Sequence, residues 1–126
     1  MSNIPVELQY TKEHVWVKVE GNIVVMGITD FAQDQLGDIL FVDLPEIDEE
    51  ISVGDVFTEF ESSKVSCEVL SPVSGKIVAS NEDLDYSPEL INEDAYANWI
   101  VKVRLSDDTE LDDLLSADEY EESIEE

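Results

Sequence analysis

Hydrophobic and polar residues alternate with a period of two on both sides of Lys64, and this period is typical of half-buried β-strands. The first run spans residues 56–61 and the second spans residues 65–70, with only two serines and the lysine between them. The predicted inward positions are Val56, Thr58, Phe60, Val65, Cys67 and Val69. Two strands with so short a polar connection form a hairpin, so the pattern predicts a tip that holds Lys64 away from the core.

Similar runs predict the other strands of the fold. These strands span residues 6–10, 14–20, 23–28, 38–44, 76–80 and 99–105. Gly21 and Asn22 form a two-residue loop, and glycine at its first position suits a type II′ turn. Short strands separated by turns predict a mostly β fold, in which two sheets pack face to face as a small sandwich or flattened barrel.

Short helices are predicted at the edges of these sheets. Asp30 is placed to cap a helix that ends at Gly37 and turns Phe31 and Leu36 inward. Residues 87–90 have a serine followed by a proline, which is typical of the first turn of a helix.

The end of the chain carries a different, helical pattern. Ser116 and Glu119 have the spacing of a capping box. The apolar residues at helical spacing are Leu111, Leu114, Leu115, Tyr120 and Ile124. We expect one domain over residues 1–126, with its core in about residues 6–105 and an acidic helical segment in residues 106–126.

Composition restricts the possible functions. Hydrophobic residues make up 43% of the 126 residues, which favours a folded domain, although 32 acidic and 6 basic residues give a net charge of −26. Such a charge repels nucleic acids and anionic membranes and favours partners with basic surfaces. We expect a cytoplasmic protein, because no apolar run is long enough to span a membrane and residues 1–6 lack the features of a signal peptide.

Few residues are available for metal binding or acid–base catalysis. Cys67 is the only cysteine and His14 is the only histidine, so an internal disulfide and a cysteine-rich metal site are excluded. No segment has the ligand pattern of a calcium loop. We therefore expect no catalytic residues, no metal and no enzymatic activity from the chain itself.

Lys64 is the candidate functional residue, because it is a single amine at a predicted tip surrounded by carboxylates. An ordinary solvated lysine is the alternative interpretation. The ordered sequence around it favours a modification site: Glu61, Ser62 and Ser63 precede the lysine directly, and the turn at residues 71–75 follows at fixed spacing.

These residues resemble a known family. Residues 61–65 and the turn at residues 71–75 are similar to the Glu-Ser-Val-Lys-Ala segment and the Ser-Pro-Val-Ser-Gly turn of the H protein of the glycine cleavage system, a relative of lipoyl and biotinyl domains. The similarity covers about residues 10–120. It implies the barrel-sandwich fold of lipoyl domains and lipoic acid bound covalently to Lys64.

The resemblance also implies a function and a set of partners. The lipoyl arm would accept an aminomethyl group from glycine at a pyridoxal-phosphate decarboxylase and pass it to an aminomethyltransferase that uses tetrahydrofolate. A dihydrolipoyl dehydrogenase would then reoxidise the arm, and a lipoyl ligase or lipoyltransferase would attach it. In the family the loaded arm folds into a cleft lined partly by the first hairpin.

The sequence departs from the family beside this cleft. The family's His-Glu-Trp segment reads His14-Val15-Trp16, so a carboxylate expected near the aminomethyl nitrogen is missing. We hypothesise that Glu13 and Glu68 supply the negative charge instead, since a desolvated ammonium group needs carboxylate partners. A solvated turn residue is the alternative for Glu13. Glu61, Ser62 and Ser63 are further candidate contacts of the arm.

Other carriers and functions remain as alternatives. The lipoyl domain of a 2-oxoacid dehydrogenase has Asp-Lys-Ala at its tip, and a biotin carrier has methionine on both sides of the lysine; neither pattern is present at residues 63–65. A lipoyl relay or a specialised redox carrier would keep the modified lysine and change the pathway. A protein that only binds partners would explain the acidity but not the ordered tip.

Overall fold

Nine β-strands and four short helices make up the described part of the chain, which comprises residues 4–12, 14–106, 111 and 114–124 of a computed structural model. The strands are β1 (Gln9–Tyr10), β2 (Val15–Glu20), β3 (Ile23–Ile28), β4 (Ile39–Asp43), β5 (Glu50–Ile51), β6 (Val56–Ser62), β7 (Ser66–Leu70), β8 (Gly75–Ser80) and β9 (Val101–Leu105). The helices are α1 (Asp30–Leu36), α2 (Asp83–Tyr86), α3 (Leu90–Glu93) and α4 (Ala117–Ile124).

The strands form two antiparallel sheets. The larger sheet has the order β1-β2-β3-β9-β8-β5, and the smaller sheet has the order β4-β6-β7. The main core contains residues from both sheets, such as Val17 and Val103 from the larger and Val42 and Phe60 from the smaller. The predicted fold, mostly β with two sheets, short helices and a C-terminal helix, is confirmed.

The hairpin of β2 and β3 forms the centre of the larger sheet. Glu20 pairs with Ile23 across the predicted two-residue loop, and Gly21 has a φ of +67°, as the first loop position of a type II′ turn requires. The ring of Trp16 packs directly on Gly27. A methyl group built on this glycine would lie only 2.6 Å from Nε1 of the ring. The first half of β2 and nearly all of β3 are buried on both faces, whereas residues 18–20 are exposed.

A second apolar cluster covers the outer face of this hairpin and contains the C-terminal helix. Its buried members are Leu8, Tyr10, Trp16, Val25, Ala117 and Tyr120. The ring of Tyr120 stacks on that of Tyr10 with centroids 4.8 Å apart. Ser116 and Glu119 form the predicted capping box, with reciprocal hydrogen bonds of 2.9 and 3.2 Å.

The hydroxyl of Tyr120 joins α4 to the start of α1. It lies 2.7 Å from Oγ1 of Thr29 and 2.8 Å from Nδ1 of His14. Thr29, not Asp30 as predicted, is the N-cap of α1, because its backbone is extended and its hydroxyl accepts from the amide of Ala32. The ring of His14 is thus part of this hydrogen-bonded link.

Several local predictions were wrong where the pairing partner decides the structure. A bulge between Val56 and Thr58 shifts the alternation, so Val56 is 38% exposed and Phe57 is buried. Val65 is 52% exposed because β7 begins only at the next residue. Leu115 forms a β-bridge with Tyr10 instead of continuing a helical stripe.

Short elements also occur in segments predicted as loops, and one helix begins later than expected. β5 lies in the segment between the predicted strands at residues 38–44 and 56–61, and α2 lies in the segment that follows the predicted strand at residues 76–80. The first helical turn was predicted at residues 87–90, whereas α3 spans Leu90–Glu93 after a turn at those residues. Four-residue helices and two-residue strands depend on tertiary contacts, so periodicity does not reveal them.

Removing the Tyr120 hydroxyl tests the link between α4 and α1. We expect Tyr120→Phe to lower the free energy of unfolding by about 1–3 kcal/mol, because the stacking on Tyr10 remains while a buried hydrogen bond to Thr29 and a partly buried one to His14 are lost. Tyr86 is 84% exposed, so Tyr86→Phe is the matched control and should change stability by less than about 0.5 kcal/mol. Urea denaturation of the three proteins measures this difference, and equal stabilities would contradict the link.

Buried phenols also predict loss of stability at alkaline pH. Burial raises the pKa of Tyr96 and of Tyr120 from 10.0 to about 12. The folded state therefore retains protons that the unfolded state releases above pH 10.0, so stability present below that pH is lost as the pH rises to about 12. Urea denaturation at increasing pH should show this decline, with a shallower slope in Tyr120→Phe. Stability that is constant across this range would contradict the prediction.

Candidate functional site

The predicted hairpin tip lies between β6 and β7. Glu61 pairs with Ser66, and the amide of Ser62 donates to the carbonyl of Val65 at 2.9 Å. Three residues, 63–65, therefore form the loop, and Lys64 is at its centre. All three are exposed.

The side chain of Ser62 holds this loop in one conformation. Its hydroxyl oxygen accepts from the amides of Lys64 and Val65 at 3.2 and 3.1 Å, and the hydroxyl donates to the carbonyl of Val65 at 3.0 Å. A serine hydroxyl that replaces backbone partners in this way stabilises tight turns. The backbone amides of Lys64 and Val65 thus have a hydrogen-bond acceptor without any contribution from the lysine side chain.

The turn between α1 and β4 supports the tip from outside the hairpin. The amide of Ser63 donates to the carbonyl of Asp38 at 3.0 Å. Gly37 has φ +78° and ψ −153°, a conformation that side chains strongly disfavour. A methyl group built on Gly37 would lie 3.3 Å from Cε of Lys64. The aliphatic part of the lysine therefore rests on this glycine.

The amine of Lys64 has no carboxylate partner within 4.0 Å among the described residues. Lys18 and Lys76, in contrast, lie 3.6 Å from Glu20 and 3.8 Å from Asp48. The side chain of Lys64 is thus exposed, as predicted, and its amine is accessible.

Carboxylates cover the outward face of the smaller sheet below the tip. Asp43, Glu59 and Glu68 lie opposite one another on the three strands, and all three are exposed. Glu61 is exposed one row closer to the tip, between Phe41 and Ser66. Like charges in register repel one another, so this face favours a basic partner.

A family model described as "Glycine cleavage H-protein" matches residues 8–126 of this sequence. The chain belongs to the glycine cleavage H-protein family. The glycine cleavage system H protein of Staphylococcus haemolyticus is 60% identical over 122 residues, which cover 96% of this chain and 97% of that protein. The corresponding protein of Alkaliphilus oremlandii is 58% identical over 118 residues, which cover 94% and 93% of the two chains.

A solved structure agrees with the fold. The crystal structure of a glycine cleavage system H protein from Mycobacterium marinum matches with a TM-score of 0.88 and 34% identity, over 98% of this chain and 100% of that chain. Members of the family carry covalently attached lipoate and have no catalytic activity of their own. The chain is thus a lipoyl carrier of the glycine cleavage system.

The residues predicted beside the family's cleft are only partly described. Glu13 lies outside the described residues. Val15, at the position where the family has a carboxylate, is completely buried in the main core. A cleft of about 500 Å³ lies at the start of the first hairpin and is lined by Lys12, His14, Glu119, Glu122 and Ser123. Glu68 lies on the outward face of β7, and its role remains a prediction.

Cys67 lacks the environment of a reactive thiol. It is half-buried, packs against the main core, and lies opposite Phe60 in the register of β6 and β7. Burial, with a smaller effect of the charge on Glu68, raises the pKa of the thiol. Fewer thiolates form at neutral pH as a result, which favours the interpretation of Cys67 as a small apolar residue.

Sequence reasoning missed the residues that support the tip. Gly37 was predicted only as the end of a helix, and no local pattern assigned Asp38 or Asn92 to the site. The side chain of Asn92 donates to the carbonyl of Gly37 at 2.8 Å and accepts from the amide of Ile39 at 2.8 Å. The contact between Gly37 and Lys64 joins two residues far apart in the chain, so it leaves no periodic pattern in the sequence.

The contact between Gly37 and Lys64 predicts different effects for two glycine substitutions. Gly37→Ala and Gly21→Ala should each destabilise the fold by about 1–3 kcal/mol, because both backbones have positive φ. Only Gly37→Ala places a methyl group against the lysine, since nothing lies within 4 Å of one on Gly21. Backbone amide NMR spectra should therefore show changes at residues 63 and 64 in Gly37→Ala alone. Equal changes in both variants would show that strain, not contact, is responsible.

Proposed function

We propose that Lys64 is the residue that carries the lipoyl group and that the arm it bears shuttles the aminomethyl group of glycine. The observation that carries this proposal is an exposed amine at the centre of a braced hairpin tip, with no carboxylate partner in the described part of the chain. A tip that is rigid in its backbone and free in its side chain fixes where the arm starts and leaves its reach unrestricted.

The other lysines are less suited to this role. Lys18 and Lys76 lie beside carboxylates. The amine of Lys102 lies 5.0 Å from the centroid of the Trp99 ring, and Lys12 lines the cleft that also contains Glu119 and Glu122. Attachment requires an amine that is free to reach an activated acyl group, and a contact with a carboxylate or an aromatic ring holds the amine against the protein surface instead.

Attachment is an acyl transfer to Nζ of Lys64. Nζ first loses a proton. An amide bond then forms between Nζ and the carboxyl carbon of a lipoyl adenylate, the acyl–phosphate bond of the donor breaks, and adenylate and a second proton are released. The lysine loses its positive charge in this reaction. Since no described carboxylate pairs with Lys64, no ion pair in the described structure is disrupted.

The specific partners follow from this role. They are the pyridoxal-phosphate glycine decarboxylase, the aminomethyltransferase that uses tetrahydrofolate, dihydrolipoyl dehydrogenase, and a lipoyl ligase or lipoyltransferase. Lys64 would hold the lipoyl group, and the attached group would supply a redox-active disulfide that can carry the aminomethyl group. The protein positions and presents it, and a cytoplasmic location is part of the same proposal.

The acidic face of the smaller sheet supports docking to basic surfaces of these enzymes. With a net charge of −26, the chain attracts a basic partner over a distance that salt reduces to about 8 Å at physiological ionic strength. Glu61 lies on β6 between the tip and this row of carboxylates, and Ser63 directly precedes Lys64. Glu61, Ser62, Ser63, Glu68 and Glu13 remain proposed contacts of the arm.

Replacing the lysine tests the attachment site. We expect Lys64→Arg to abolish modification by a lipoyl ligase with lipoate and ATP, because a guanidinium does not form the amide, and to abolish glycine decarboxylation with the partner enzymes. Lys76→Arg is the matched control and should be modified as fully as the wild type. Intact mass spectrometry measures the gain of one lipoyl group, and peptide mapping locates it.

Two results would contradict the proposal. Modification of Lys64→Arg, or a lipoyl group mapped to another lysine, would refute the assignment of the site. The relay function would be favoured by a fully lipoylated protein that is inactive with the decarboxylase but donates its lipoyl group to another carrier. The buried Val15, at the position where the family has a carboxylate, is the reason to consider this alternative.

A further inference from the structure

A single amide side chain, that of Asn92, braces the turn on which Lys64 rests. Its Nδ2 group donates to the carbonyl of Gly37 at 2.8 Å and to Oε1 of Gln33 at 2.9 Å. Its Oδ1 atom accepts from the amide of Ile39 at 2.8 Å. An asparagine amide has two N–H donors, and both are used here.

These contacts lie on both sides of the peptide that holds the tip. Gly37 and Ile39 flank Asp38, and the carbonyl of Asp38 accepts from the amide of Ser63. Ser63 directly precedes Lys64, whose aliphatic part lies over Gly37. The α1–β4 turn cannot move relative to α3 without breaking a hydrogen bond of Asn92, so a displacement of this turn also displaces the support of the lysine.

We propose that Asn92 is a positioning residue for lipoylation, which acts through Gly37 and Asp38 to hold the backbone at Lys64, and with it the aliphatic part of the side chain, in the place from which the amine attacks. The proposal rests on the proposed function of Lys64 as the acceptor. A well-positioned nucleophile reacts faster because its orientation is set before the reaction. Asn92 therefore contributes to the rate of acyl transfer and not to docking, since its hydrogen bonds go to Gln33, Gly37 and Ile39 and not to the exposed loop at residues 63–65.

Asn98 offers a matched control in the same region. It is half-buried like Asn92, and its Nδ2 group donates to the carbonyls of Leu90 and Asp94, both at 2.9 Å. Its loss removes two side-chain hydrogen bonds to backbone carbonyls around α3, and its recorded contacts do not involve the α1–β4 turn. A general loss of stability therefore affects both variants, whereas a loss of positioning affects only Asn92 variants.

The first measurement is amide hydrogen exchange in the unmodified, full-length protein. We expect the amide of Ser63 to exchange roughly tenfold faster in Asn92→Ala than in the wild type, because its acceptor becomes mobile. In Asn98→Ala the rate at Ser63 should remain within about twofold of the wild type. This readout does not depend on any enzyme.

The second measurement is the steady-state kinetics of lipoylation with a lipoyl ligase. We expect kcat for Asn92→Ala to fall roughly tenfold with KM for the carrier nearly unchanged, and Asn98→Ala to match the wild type. Asn92→Asp keeps the size of the side chain and the acceptor for the amide of Ile39 but loses both donors. It should show the same decrease, and it serves as the test if Asn92→Ala does not fold.

The outcomes separate this inference from the proposed function. Equal changes at Ser63 and in kcat for the Asn92 and Asn98 variants would overturn the inference, because Asn92 would then contribute only to stability. A change confined to KM would overturn it as well. Lipoate mapped to another lysine in the wild type would refute the proposed function, and the exchange at Ser63 would still report whether Asn92 holds the tip.

Discussion

The hydrogen bond from the amide of Ser63 to the carbonyl of Asp38 connects the hairpin tip to the rest of the molecule, and the position of Lys64 depends on it. A tip lysine is useful only if its backbone is fixed and its side chain is free. The Ser62 hydroxyl satisfies the loop from within, and the α1–β4 turn supports it from outside. Sheet pairing makes this possible, because β4 runs beside β6 and brings residues 37–39 alongside the tip.

Helix α1 connects the turn that supports the tip with the C-terminal helix α4. Its N-terminus is capped by Thr29, whose hydroxyl also contacts Tyr120 of α4. Its C-terminus ends at Gly37, where Asn92 binds the carbonyl. Seven residues of helix, about 10 Å in length, therefore separate the contact with the C-terminal helix from the contact with the lysine. The second apolar cluster is in this way part of the scaffold that holds the site.

Charge places a further constraint on the molecule. Carboxylates lie on exposed positions, including the row of Asp43, Glu59 and Glu68 on the outward face of the smaller sheet. Side-chain ion pairs are few in the described residues, and both recorded pairs are substantially exposed. Exposed pairs contribute little to stability. Burial of apolar side chains holds the fold together, and the acidic surface remains available for basic partners.

The sequence by itself determined the features that depend on residues close together in the chain. Alternation before and after Lys64 predicted the hairpin and its exposed tip, and the spacing of Ser116 and Glu119 predicted the capping box. Only the tertiary structure decided that a bulge turns Val56 outward, that Leu115 pairs with Tyr10, and that Asn92 lies beneath the tip. These contacts join residues far apart in the chain, so no local pattern encodes them, and they form only when the two sheets and their helices pack together.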